Sequence, residues 1–225
     1  MELYHVLNRG VDKRKIFLDD KDYLRFIHNL FEFNDKRWVN NSLYRFSKNK
    51  DIKDIASPYI KKSRELLVDI HAFCLMPTHY HLLISSKSED SIPVFMKKLN
   101  MGYAKYFNDR YERKGALFES RYKRILVEKD SHFIHLPYYI HLNPLDLVAR
   151  EWRERKLGNY NKAMKFLGSY RWSSHLDYLG RNNFPSVTQR EIILEFFGGS
   201  KNYEKGIKRW LKELSPIDLG ESILE

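Results

Sequence analysis

The run His71-Ala72-Phe73-Cys74-Leu75-Met76-Pro77-Thr78-His79-Tyr80-His81-Leu82-Leu83-Ile84 narrows the fold of this chain more than any other segment. Apolar and strand-forming on both sides of Pro77-Thr78, it reads as an antiparallel hairpin, Leu66 to Met76 and His79 to Ser85, closed by a tight turn. Side chains alternate faces along a strand, so His79 and His81 point the same way and can close on one ion. Each buried imidazole leaves a ring nitrogen in need of a partner, which points to chemistry at the strand end. Taken alone, a His-x-His pair in a strand is more often structural, and the rest of the chain has to decide.

Around the hairpin the periodicity is regular. Leu3 to Arg9 reads as a first strand ended by Gly10, and Asp19 or Asp20 caps a helix with Tyr23, Phe26, Ile27, Leu30 and Phe31 at helical spacing, ending near Asn34 or Asp35. Ser91 caps a second helix carrying Ile92, Phe95, Met96, Leu99, Tyr103 and Phe107 on one face. Leu117 to Glu128 reads as a fourth strand, and Asp130 or Ser131 caps a third helix that stops at Asn143-Pro144. The order strand, helix, strand, strand, helix, strand, helix is the split βαβ pattern. It predicts an α+β, ferredoxin-like antiparallel sheet with helices on one face. A polar, basic insertion at about 36–64, with one short helix around Tyr59 to Leu66, interrupts it. Residues 1–148 form the expected main domain and 149–225 a small C-terminal helical extension, with pieces at Tyr160 to Leu167, Trp172-Ser173-Ser174, Thr188 to Phe197 and Lys201 to Leu214.

Charge sets the class of partner. A formal charge of +11 and a pI near 9.5 favour polyanions, nucleic acid before an anionic membrane surface. No stretch approaches the roughly 18 apolar residues of a spanning helix, and Met1-Glu2-Leu3-Tyr4-His5 lacks the regions of a signal peptide. The single Cys74 fits a reducing cytoplasm and a buried structural thiol. Arg121, Lys123 and Arg124 around Tyr122 join cations for phosphates to an aromatic ring that can stack on an unpaired base. Lys97, Lys98 and Lys105 on the second helix are further candidates, although such residues are often only a solvated helix face.

Two His ligands leave a metal under-coordinated, so a third ligand and a nucleophile have to arrive from another element. Tyr139 and Asn143, four residues apart, share a face of the third helix. An amide oxygen from Asn143 suits a hard ion such as Mg²⁺ or Mn²⁺, and the Tyr139 phenol can act as a nucleophile. Tyr138 points about 100° away on a regular helix. Pro137 lies just before the two tyrosines and favours a kink or restart there.

On these residues the chain resembles the single-tyrosine HUH transposases of the IS200/IS605 class, most closely their REP-associated tyrosine transposase branch. The likeness rests on Tyr4-His5-Val6-Leu7-Asn8-Arg9-Gly10, on Cys74 to Ile84, on Tyr139-Ile140-His141-Leu142-Asn143-Pro144 and on Trp172-Ser173-Ser174, all in the family's order. The resemblance implies a metal-dependent strand transferase that nicks and rejoins single-stranded DNA near hairpins through a 5′-phosphotyrosine on Tyr139. His79, His81 and Asn143 would hold Mg²⁺ or Mn²⁺, and the enzyme would work as a monomer or homodimer. Insertion-sequence members more often carry glutamine where Asn143 stands, which makes His141 an alternative ligand. Leu145-Asp146-Leu147-Val148-Ala149-Arg150 replaces the family's usual Val-Arg-Ala-Gly run. The extension is expected to read the hairpin or cover the site. Rival readings are an HUH replication initiator or relaxase, a phosphodiesterase using water, and a non-catalytic ferredoxin-like nucleic-acid-binding module.

Overall fold

The computed structural model describes residues 2–37, 64–128, 130–154 and 156–213. Strands β1 (Leu3–Arg9), β2 (Val68–Met76), β3 (His79–Ser86) and β4 (Lys123–Leu126) form one sheet in the order β2-β3-β1-β4. All three pairings are antiparallel. Helices α1 (Asp20–Glu32) and α2 (Ser91–Arg110) supply the crossovers of a ferredoxin-like domain, the α+β class that the element order predicts.

Strand alternation gives the sheet two different faces. Tyr80, Leu82 and Ile84 of β3 lie beside Asn8, Val6 and Tyr4 of β1. This face meets α1 and α2: the Phe26 and Tyr80 rings are 4.8 Å apart, and the Tyr80 hydroxyl donates to Asn100 Oδ1 at 2.6 Å. Asp19 caps α1 by accepting from the Lys21 and Asp22 amides. Helix α1 buries Tyr23, Phe26, Ile27 and Leu30, and α2 buries Ile92, Phe95, Met96, Leu99, Tyr103 and Phe107. The opposite face carries His79, His81 and Leu83 beside Arg9, Leu7 and His5. It is covered by α3 (Asp130–Leu142), which adds a helix beyond the two on the first face and runs through Pro137 without a break.

β4 is shorter than the expected Leu117 to Glu128 because a side chain from β1 intervenes. The chain does pair at Gly10 and Phe118, but the buried Asn8 amide donates to the Ser120 and Arg121 carbonyls at 3.1 and 2.8 Å. That side chain takes bonds a ladder would otherwise make, and pairing resumes only at Lys123. β2 begins at Val68 because Asn34 Oδ1 accepts from the Leu67 and Val68 amides at 3.1 and 2.9 Å. Most of the insertion and the start of its expected helix lie outside the described residues.

The C-terminal part continues through α4 (Tyr160–Leu167), α5 (His175–Tyr178), α6 (Glu191–Phe196) and α7 (Ser200–Glu213). It runs along the outer edge of β2. The Leu75 amide donates to Trp172 O at 2.9 Å, the Ser174 amide to Phe73 O at 3.0 Å and the Gln189 amide to Ile70 O at 2.8 Å. An exposed strand edge is thereby capped by its own chain.

Candidate active site

The β1–β3 register brings His5 next to the His pair. His5 Nε2 lies 3.0 Å from His81 Nδ1, and the two rings stack with centroids 5.2 Å apart. His79 Nδ1 is 2.9 Å from Thr78 Oγ1, and the His79 and His81 rings meet edge to face at 4.9 Å. One nitrogen of each imidazole is thus occupied by a neighbour that fixes its orientation, as the partners of metal-binding histidines do. When His81 donates from Nδ1 to His5, its Nε2 carries the lone pair, and that buried atom has no hydrogen-bond partner among the described residues. Burial first, then nearby positive charge, holds both rings neutral. His79 is lowered to about 4, with Arg9 the leading cation, and His81 lies well below the usual histidine range. Neutral imidazoles with an oriented lone pair are ready to bind a metal.

α3 presents Tyr139 to this group. Its ring meets His81 edge to face at 6.0 Å and His5 at 6.2 Å. Tyr138, one residue earlier, turns away as helix geometry requires. It stacks on Phe197 at 5.0 Å, and a Cβ placed on Gly206 of α7 would come within 2.0 Å of its hydroxyl. Burial raises the Tyr138 phenol to about 12. Asn143 follows on the Tyr139 face: its Nδ2 donates to Tyr139 O at 2.9 Å, and its Oδ1 accepts from Arg153 at 2.9 Å. Among the described residues no group of three or more His, Cys, Asp or Glu could hold a metal, so two imidazoles would need an amide, water or substrate oxygen. His79 and His81 supply two imidazole donors, and the Asn143 side-chain oxygen on the same helix face as Tyr139 is held by Arg153.

His141 faces elsewhere. Its Nδ1 lies 2.8 Å from Tyr203 Oη and its Nε2 2.7 Å from Ser174 Oγ, while His175 Nδ1 reaches the same Tyr203 hydroxyl at 2.9 Å. This buried network ties α3 to α5 and α7. Burial, with Arg181 nearby, lowers His175 to about 4. A histidine with a folded pKa below its unfolded value of about 6.5 stabilises the fold fully above that value. As pH falls towards 4 the unfolded chain binds the proton more readily and stability drops, by about 1.4 kcal/mol per pH unit for each such group. His79 shifts in the same direction. The urea midpoint should therefore fall steadily from pH 7 to pH 5; a flat midpoint would contradict burial of neutral His175.

The basic candidates divide between the two faces. Lys97 and Lys105 are exposed on α2, on the side of the sheet away from the His pair. Lys98 is half-buried and donates to the Asp35 and Arg37 carbonyls. Arg121, Lys123 and Arg124 are exposed and Tyr122 half-buried. Lys123 pairs with Leu7 and so shares the His face, while Arg124 turns to the other face, its guanidinium 4.9 Å from the Tyr4 ring centre. Arg9, paired with His79, is a further cation on the site face. Sequence pattern alone assigns no role to His5, Asp146 or Arg153, which the fold brings to Tyr139 and the His pair. The position of His5 on the same face of β1 was the available signal, but it needs the strand register.

The arrangement is a ferredoxin-like sheet with a His-x-His strand at its centre and a tyrosine helix laid across that face. Residues 37–143, a little under half of the chain, match the family described as Transposase IS200 like, and this stretch holds His79, His81, Tyr139 and Asn143. No curated protein matches the chain at a significant level. Among solved structures the chain is similar to a REP-associated tyrosine transposase bound to a REP hairpin, with 12% identity, a TM-score of 0.43 and 83% of each chain covered.

Proposed function

We propose that this protein is a divalent-metal-dependent, single-tyrosine HUH transposase of the REP-associated branch, which nicks and rejoins single-stranded DNA beside hairpins. The observation that carries the reading is the meeting of Tyr139 with His81, edge to face at 6.0 Å, where the His81 ring keeps a buried Nε2 with no partner among the described residues. His79, His81 and Asn143 would hold Mg²⁺ or Mn²⁺, which when bound draws charge from a phosphodiester as a Lewis acid.

The remaining chemistry belongs to the chain. Tyr139 Oη attacks phosphorus, the Oη–P bond forms and the P–O3′ bond breaks. The 3′ oxygen leaves with the electron pair and takes up a proton, while the phenol proton passes to solvent. The 5′-phosphotyrosine keeps the energy of a diester, so a free 3′ hydroxyl rejoins the strand by the reverse step without a nucleotide cofactor. Arg121, Lys123 and Arg124 would hold backbone phosphates and Tyr122 would stack on an unpaired base. Tyr139 faces the His pair of its own chain, which supports action by a single protomer.

The test is to incubate the protein with labelled single-stranded hairpin oligonucleotides bearing randomised flanks, in Mg²⁺ or Mn²⁺, and to run the products under denaturing conditions. A covalent protein–DNA band that disappears in chelator is expected. Cleavage without a band would favour a phosphodiesterase using water, and binding that survives chelator without cleavage would favour a binding module.

A further inference from the structure

Arg153 lies outside every motif, ten residues beyond Asn143, yet the backbone returns it to the end of α3. A 3-10 turn at Asn143–Leu147 reverses the chain, with the Val148 and Ala149 amides both donating to Leu145 O at 3.0 and 2.7 Å. A second turn, Arg150–Glu154, then carries Arg153. Its guanidinium grips both oxygens of Asp146, Nε to Oδ1 at 2.7 Å and Nη2 to Oδ2 at 2.6 Å. Trp152 Nε1 donates to the same Oδ1 at 2.7 Å. The fork still has donors to spare: Nη2 reaches Asn143 Oδ1 at 2.9 Å and Nη1 reaches the Tyr139 hydroxyl at 3.3 Å.

A guanidinium is planar and its donor directions are fixed, so a two-point grip on one side determines where the other side points. A guanidinium stays protonated in proteins, so the grip on Asp146 is a charge-assisted, two-point pair. The geometry points to Arg153, steadied by Asp146, as the residue that aims the nucleophile. It holds the Tyr139 hydroxyl and the Asn143 side-chain oxygen in one frame, with the Tyr139 ring against His81. This rests on the reading of Tyr139 as the attacking group. Arg153 makes no covalent bond and gives up no proton; it holds the oxygen that gains phosphorus as the 3′ oxygen departs. Pre-set aim of this kind acts on the rate of attack more than on binding.

An arginine that merely pinned the turn to α3 would show the same contacts, so the test has to separate aim from scaffold. Full-length wild type, Arg153→Ala, Arg153→Lys, Asp146→Asn and Tyr139→Phe are mixed in Mn²⁺ with saturating labelled hairpin oligonucleotides carrying randomised flanks. Covalent adduct is followed over a single turnover, and hairpin affinity is measured separately. Arg153→Ala should slow adduct formation about 10- to 100-fold, the effect of one charge-assisted hydrogen bond. Its hairpin affinity should change by less than about threefold. Added guanidinium ion should restore part of the rate in Arg153→Ala and none in Tyr139→Phe. Asp146→Asn, which loosens the grip but keeps the cation, should fall between Arg153→Ala and wild type.

Adduct formation at the wild-type rate in Arg153→Ala overturns the inference, as does a rate loss matched by lost affinity. Should Arg153→Ala fail to fold, Arg153→Lys carries the comparison. It keeps the charge but cannot fork to three partners, and wild-type speed there overturns the inference equally. An absence of adduct in the wild type itself would instead remove the reading of Tyr139 on which the inference stands.

Discussion

Tyr139→Phe should abolish the covalent DNA adduct, while Tyr138→Phe, one residue away, should form it at close to the wild-type rate. The two phenols have different surroundings although they are adjacent in sequence. Tyr139 meets His5 and His81 edge to face and accepts a hydrogen bond from Arg153. Tyr138 is packed between Phe197, Tyr203 and the bare backbone of Gly206. Removing one oxygen from Tyr139 leaves the ring contacts intact, so Tyr139→Phe should fold and bind hairpins as the wild type does. Its covalent band should nonetheless drop below detection, since the variant lacks the attacking oxygen. The measurement is a denaturing gel with the adducted peptide identified by mass. A band that persists in Tyr139→Phe and vanishes in Tyr138→Phe would reverse the assignment. Loss in both would point to a damaged α3.

How much of this was readable beforehand follows the range of the interactions involved. The His79–His81 hairpin, the buried stripes of α1 and α2 and the shared face of Tyr139 and Asn143 depend on neighbours within a few residues, and strand and helix periods specify them. The divergence of Tyr138 from Tyr139 came from the same rule. β4 was overdrawn because a side chain from another strand, Asn8, captures the Ser120 and Arg121 carbonyls, and no local pattern announces that. His5 joins the site only through the β1–β3 register. Arg153 needs two successive 3-10 turns to fold back over α3, and 3-10 turns have weak sequence signatures. His141, weighed as a ligand from its place in the motif, is drawn into the Tyr203 and Ser174 network by a part of the chain more than thirty residues away. What escaped the sequence is the set of long-range contacts that surround Tyr139 and the His pair.

Asp22→Ala, on the face of the sheet away from the site, should cost far more stability than Asp19→Ala beside it. Asp22 is fully buried. It accepts from the Leu18 amide at 2.8 Å, from the Tyr111 and Tyr106 hydroxyls at 2.8 and 3.0 Å, and from Arg110 at 2.6 Å. Through these bonds one carboxylate joins the start of α1 to the last turns of α2. Alanine would leave two phenols, an amide and part of a guanidinium without their acceptor, a cost of about 3–5 kcal/mol for breaking a buried pair. In a chain of this size that corresponds to a fall in Tm of roughly 6–20 °C. Asp19 is the comparison, since it also holds Arg110 and caps α1 but is half exposed. Asp19→Ala should cost only about 1–2 kcal/mol. Arg110 bonds both carboxylates, so the double variant should lose less than the sum. Urea unfolding of the two single variants and the double gives all three numbers, and an Asp22→Ala variant no weaker than Asp19→Ala would refute the ranking. Below its own transition Asp22→Ala should still form adduct at the wild-type rate, because the clamp it breaks touches none of the groups around Tyr139.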